Sequence, residues 1–146
     1  MYGRIFGVPG KELKKRVDRL LGLVGLSSVG GRTISTFSKG MTQKMSLAQS
    51  LINDPDTLVL DEPTSGLDPL ARMELRHILS DLKKQGKTIF FSSHELSEVE
   101  TVCDSVAIIQ SGKLLKSGPL SEILGAKHEL MSLEQYFLKT IREAKP

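Results

Sequence analysis

The pattern of apolar and polar positions predicts helices in the first third of the chain and a mixture of strands and helices after it. Leu13, Val17, Leu20, Leu21 and Val24 recur three or four residues apart, with Lys14, Lys15, Arg16, Asp18 and Arg19 between them. That spacing predicts a helix over residues 11–26 with one apolar face. Ser27 to Thr36 is rich in glycine and serine and reads as a loop. A second helix starts after Ser38 and runs to about Ile52, with Met41, Met45, Ala48, Leu51 and Ile52 as its stripe. Asn53-Asp54-Pro55 ends it, because the residue before a proline disfavours the α region. The period then changes. Thr57-Leu58-Val59-Leu60 is a short continuous apolar run and reads as a strand buried on both faces. Pro69 to Gln85 has helical spacing again, through Leu70, Met73, Leu75, Ile78, Leu79 and Leu82, with Gly86 at the C′ position. Thr88-Ile89-Phe90-Phe91 reads as a second buried strand, and the connection is long enough for a right-handed crossover between parallel strands. A short helix over 95–102, a hairpin of 106–110 and 113–116 around Ser111-Gly112, and helices over 120–124 and 133–141 complete the prediction.

Composition narrows the class. A chain of 146 residues buries about 68% of its unfolded surface, enough for a core. Its 39% hydrophobic and 25% charged residues exclude a disordered, collagen-like or disulfide-scaffold chain. A formal net charge of +3 does not argue for a nucleic-acid partner. Cys103 is the single cysteine, so no intrachain disulfide forms, which suits a reducing compartment. The longest aliphatic and glycine run, Leu20 to Leu26, falls far short of the ~20 residues of a spanning helix. The first residues lack the layout of a signal peptide, so the chain is expected in the cytoplasm.

Candidate chemistry gathers after the first strand. Asp61 and Glu62 are adjacent carboxylates at its C-terminal end, where ligands sit in open α/β sheets. Two carboxylates there are costly to desolvate unless a positive group arrives. Mg²⁺ with a nucleotide phosphate fits, since Mg²⁺ takes one or two carboxylates and keeps several waters. Asp61 would then hold the metal's shell, and Glu62 would orient or deprotonate a water. The dipeptide by itself reads better as a solvated acidic strand end before a turn. Aligning Leu58-Val59-Leu60 with Ile89-Phe90-Phe91 sets Asp61 beside Ser92, Glu62 beside Ser93 and Pro63 beside His94. His94 could donate to a phosphate oxygen as charge develops; the alternative is that it caps the helix near Glu95. His77 and His128 read as ordinary helical residues. Ser38-Lys39-Gly40 precedes a helix, whose free N–H groups attract anions, though this segment alone reads as an ordinary capped helix. Thr64 to Pro69 reads as a turn into a helix with Pro69 at N1.

In order and spacing, Ser38-Lys39-Gly40-Met41, Leu47-Ala48-Gln49, Leu58 to Pro63, Ser65-Gly66-Leu67-Asp68 and Ser92-Ser93-His94 resemble the second half of an ATP-binding cassette (ABC) transporter ATPase. The resemblance covers essentially the whole chain. It implies an α/β fold: part of a P-loop NTPase three-layer arrangement, a parallel sheet with flanking helices, part of a helical subdomain and a C-terminal β-hairpin. It implies three segments: a helical subdomain ending in the signature loop and helix over 1–53, part of the catalytic core over 54–126, and a helical tail over 127–146. Asp61 is then the Walker B aspartate, holding Mg²⁺ through water, and Glu62 the catalytic glutamate. Ser65 to Asp68 is the D-loop and His94 the switch histidine. Ser38, Lys39 and Gly40 belong to the signature loop, which contacts the γ-phosphate of ATP bound by the opposite subunit. The implied partners are a transmembrane permease and a second ATPase subunit in a head-to-tail dimer, with no nucleic acid. The implied place is the inner face of the cell membrane.

Two departures from the family pattern bear on function. The usual Leu-Ser-Gly-Gly-Gln signature is Phe37-Ser38-Lys39-Gly40-Met41 here, which resembles a variant in exporters, as Leu133-Glu134-Gln135-Tyr136-Phe137 resembles an export-type tail. No Gly-x-x-x-x-Gly-Lys-[Ser/Thr] loop occurs; Gly86-Lys87-Thr88 enters a strand, and Asp81 stands where the first glycine belongs. Without that loop the phosphates lose their cradle. The chain is therefore expected to be a C-terminal fragment, without the Walker A strand and Q-loop, and inactive by itself. A non-catalytic partner subunit and an ABC ATPase of translation or DNA repair are the alternatives. A haloacid-dehalogenase phosphatase is excluded by Pro63, where its motif needs Asp.

Overall fold

The structure, a computed structural model, describes residues 7–124 and 131–144; the readings of the first six residues and of His128 lie outside them. The chain divides into two compact units, Met1–Ser92 and Ser93–Pro146.

The described residues of the first unit hold three helices and a parallel strand pair. Helix α1 spans Gly10–Leu23 and buries Leu20. Short 3-10 turns at Ser27–Val29 and Ile34–Thr36 occupy the expected loop. Helix α2, Lys39–Ser50, begins where the Ser38 side chain accepts a bond from the Met41 N–H, the predicted N-cap. Arg16 ties α1 to the end of α2 by donating to the Ile52 carbonyl at 3.0 Å. Strand β1 is Thr57–Leu60. Helix α3, Pro69–Lys84, starts at Asp68, whose carboxylate accepts from the Ala71 N–H at 2.9 Å, with proline in the first turn. Strand β2 is Thr88–Phe91 and lies parallel to β1. Leu20, Val24, Leu47, Leu51, Leu58, Leu75, Leu79 and Leu82 are all buried. Each such side chain contributes roughly 1.5–3 kcal/mol when removed from water.

One expectation fails in this unit. β1 and β2 are not buried on both faces: Leu58 is 3% exposed, but Val59 is 75% and Phe90 61% exposed. Two-sided burial of a parallel sheet needs a layer on each face, and the described residues bury only the Leu58 side.

The second unit is built on a hairpin. Helix α4 spans Leu96–Val102. Strands β3, Ser105–Gln110, and β4, Lys113–Pro119, pair antiparallel from Ser105↔Pro119 to Gln110↔Lys113, with a register shift between Ile108 and Ile109. β4 runs three residues past the predicted end at Lys116. Ser111 and Gly112 have φ of 49° and 73°, the left-handed pair that a two-residue hairpin turn requires. Helix α5, Leu120–Leu124, follows β4 directly, and helix α6 spans Leu133–Glu143. α6 opens on a capping box in which Ser132 and Gln135 exchange side-chain and backbone bonds. Val99, Ile108, Leu120, Leu124 and Leu133 are buried in this unit.

Candidate nucleotide site

The register of β1 and β2 decides what meets at their ends. Leu58 pairs with Ile89, Val59 with Phe90 and Leu60 with Phe91, the alignment predicted from the two apolar runs. The Ser92 N–H continues the ladder by donating to the Leu60 carbonyl at 3.0 Å. Asp61 and Ser92 therefore leave the sheet side by side. The Ser92 hydroxyl donates to Asp61 Oδ1 at 2.5 Å and accepts from the Glu62 N–H at 2.9 Å. The first of these is at the short end of the range for a hydroxyl on a carboxylate, a charge-assisted bond.

Glu62 turns the chain at φ 45°. A non-glycine residue in the left-handed region costs roughly 1–2 kcal/mol and is enriched at functional sites. The turn continues with the Ser65 N–H donating to the Glu62 carbonyl at 3.1 Å and the Leu67 N–H to the Thr64 carbonyl at 3.2 Å. Thr64 and Leu67 are buried and anchor it, while Asp61 is exposed and Glu62 half-buried. A groove of about 190 Å³ opens beside Asp61, lined by Gln43, Ser46 and Leu47 of α2, Val59 and Leu60 of β1, Pro63, and Leu75 of α3.

The starts of α2 and α3 come together. A Cβ built on Gly40 would lie 3.2 Å from the Ala71 Cβ. Gly66 has φ 67°, and a side chain there would run into the Lys39 ammonium, which crosses the Ser65 to Asp68 loop. Lys44 and Glu74 form an ion pair between the same two helices. Thus Ser38, Lys39, Gly40 and Asp68 form one neighbourhood, and Asp61, Glu62 and Ser92 another, both within the first unit. His94 belongs to the second unit and is exposed. Glu95 is the N-cap residue of α4, and the Ser93 hydroxyl accepts from the Glu95 N–H at 3.0 Å. His77 is exposed on α3.

Three features escaped the sequence. The bridging role of Ser92 was visible only as a register position. The left-handed turn at Glu62 and the Lys39 contact with Gly66 carry no sequence signal beyond the glycine itself. Among the described residues no three His, Cys, Asp or Glu side chains gather into a metal cluster. A magnesium ion held by one carboxylate and waters needs no such cluster. Asp61 fits that role, exposed at a strand end with Oδ1 engaged by Ser92.

A sequence profile described as "AAA domain, putative AbiEii toxin, Type IV TA system" matches residues 7–100, more than half of the chain. The chain belongs to that family. The curated proteins similar to it are ABC transporter ATP-binding proteins. One, an uncharacterized ABC transporter ATP-binding protein of Nostoc sp., is 49% identical over 85% of this chain and 38% of its own length. Another, the Nod factor export ATP-binding protein I of Ralstonia nicotianae, is 38% identical over 89% of this chain and 40% of its own length. Among solved structures, an ATP-binding subunit of an ABC transporter superposes with a TM-score of 0.78 at 29% identity, covering 96% of this chain and 60% of that one. The fold is accordingly that of an ABC-type P-loop ATPase domain. The chain spans about two fifths of the length of these two curated relatives. No helix among the described residues is long and apolar enough to cross a membrane.

Proposed function

We propose that this chain carries the hydrolytic and signature segments of an ABC transporter ATPase subunit, and that the whole protein uses ATP and Mg²⁺ to drive export. The observation that carries the reading is the β1–β2 register, with Ser92 joining Asp61 to the Glu62 backbone. When bound, Mg²⁺ supplies a Lewis acid at the phosphate oxygens. Asp61 would hold that ion's hydration shell. Glu62 would orient and deprotonate the attacking water; its backbone is pinned by Ser92 and by the left-handed turn, which limits where its carboxylate can reach. His94 is assigned the donor to the γ-phosphate on its motif, not on its placement. Ser38, Lys39 and Gly40, at the N-terminus of α2, suit a phosphate presented by a second subunit in a head-to-tail dimer, with Asp68 in the adjoining loop. The proposed segments are 1–53, 54–126 and 127–146: signature-bearing helical part, core part and tail. A transmembrane permease would be the other partner and would hold the chain at the cytoplasmic face. The export direction rests on the signature variant, on the tail at 133–137, and on likeness to a relative named for Nod factor export.

The test joins the chain to a front half bearing a Gly-x-x-x-x-Gly-Lys-[Ser/Thr] loop. Glu62→Gln should lower turnover by about 100-fold or more while ATP binding persists, and His94→Ala should also cut it strongly. Near-normal turnover in both would remove these residues from the mechanism. The chain unjoined should hydrolyse no ATP above background; magnesium-dependent turnover abolished by Glu62→Gln would show that it needs no such loop.

A further inference from the structure

Helix α1 carries a charge pattern that the nucleotide site does not use. Its residues include five cations, Lys11, Lys14, Lys15, Arg16 and Arg19, against the carboxylates Glu12 and Asp18. That excess of three equals the formal net charge of the whole chain, +3. Arg16 is turned inward, pairing with Glu12 at 3.6 Å and donating to the Ile52 carbonyl. The other four cations are exposed, and none of them forms an ion pair with a described residue. Lys11, Lys15 and Arg19 stand four residues apart, so they fall on one stripe roughly 12 Å long, with Lys14 at its side. Like charges at this spacing destabilise a helix. The anions that face the stripe are few: Asp18 on α1, and Asp54, whose carboxyl is lowered chiefly by Lys87 and in smaller part by Arg19.

The stripe also offers little apolar surface. Leu20 is buried, Leu13, Leu21 and Leu23 are half-buried, and Val17, 37% exposed, lies off the line of Lys11, Lys15 and Arg19 at about 100° per residue. A protein partner draws most of its binding energy from a cluster of buried aromatic, arginine or aliphatic anchors in pockets, and Arg19 is the one such side chain on the stripe. A laterally uniform array of anionic headgroups needs only charge. We infer that the outer stripe of α1 rests on an anionic lipid surface, bound through Lys11, Lys14, Lys15 and Arg19. The inference takes from the transporter reading only the nearness of a membrane, and its test needs no nucleotide.

The experiment is flotation of the 146-residue chain with vesicles of phosphatidylcholine alone and of phosphatidylcholine mixed with phosphatidylglycerol. The chain should float with the anionic vesicles only, and salt should release it, because exposed charges are screened. Each Lys or Arg near such a surface strengthens partitioning about fivefold, so the triple variant Lys11→Gln, Lys15→Gln, Arg19→Gln should lose on the order of 100-fold. Its melting temperature should be unchanged or higher, since repulsion along the stripe is relieved. A control triple, Lys113→Gln, Lys116→Gln, Lys139→Gln, removes the same charge from β4 and α6 and should bind as the unaltered chain does. Equal binding to neutral vesicles, salt-insensitive binding, undiminished binding by the α1 variant, or an equal loss in the control would each overturn the inference. Equally tight, salt-dependent binding to a DNA duplex would overturn the lipid assignment.

Discussion

β1 and β2 are joined through a 16-residue helix and lie parallel, whereas β3 and β4 are joined by Ser111-Gly112 and lie antiparallel. The two pairs face the same difficulty, since each leaves an apolar cross-strand pair in water. In the first it is Val59 and Phe90; in the second, Ile109 and Leu114, both more than 60% exposed. What differs is where each pair keeps its register. The hairpin fixes it locally, through two residues with positive φ. The parallel pair has no local device and relies on contacts between residues far apart in sequence. At its start the Lys87 ammonium meets the Asp54 carboxylate at 2.7 Å, and at its end Ser92 meets Asp61. The polar groups that pin the parallel strands thus include those proposed to do the chemistry. A hairpin closes on a turn; a parallel pair delivers two chain ends to one edge.

The comparison can be broken most strongly at the crossover. Leu75 on α3 is 1% exposed, so Leu75→Ala should cost about 2–5 kcal/mol, read by chemical denaturation. Amide protection over 57–60 and 88–91 should fall with it; a loss below 1 kcal/mol, or protection unchanged there, would show that α3 does not hold the pair. The hairpin should be less sensitive. Gly112 has φ 73° and nothing within 4 Å of a built Cβ, so Gly112→Ala meets backbone strain alone, about 1–2 kcal/mol. A neutral result would mean that the turn does not set the β3–β4 register. The smallest effect concerns pH. The hydrogen bond from Lys87 holds the Asp54 carboxyl below the ordinary aspartate value; burial opposes it, and the charges of Lys87, Arg19 and Arg16 add smaller lowering contributions. A depressed carboxyl stabilises the fold above its unfolded value of about 3.9, and that contribution fades as pH falls through the folded value. Asp54 is more than half exposed, so solvent screening limits the pair to about 1 kcal/mol or less. Asp54→Asn should therefore lower stability slightly at neutral pH and match the unaltered chain at strongly acid pH; an equal deficit at both would assign the loss to something other than the charge.

Much of this arrangement is legible in the amino-acid sequence. The two apolar runs align in one register because both end abruptly at polar residues, Asp61 and Ser92, and that register places the site. Ser38 and Asp68 were readable as caps because each stands immediately before a helical stripe. The exposure of Val59 and Phe90 was not, since a continuous apolar run states what a strand is suited to and not what covers it. The Lys39 contact with Gly66 joins residues 27 positions apart through a side chain that sequence pattern treats as solvated. The Ser132 and Gln135 capping box carries a sequence signal, Ser-x-x-Gln before an apolar run.

The Ser92 hydroxyl bears on how Asp61 would meet a metal. With its proton donated to Oδ1, it leaves Oδ2 as the carboxylate oxygen without a described partner. In the outer-shell role proposed above, that oxygen would accept from a water of the magnesium ion, which demands a tight octahedron and prefers to keep its waters. One serine hydroxyl, lent by the neighbouring strand, would thereby set the direction from which a hydrated ion is received.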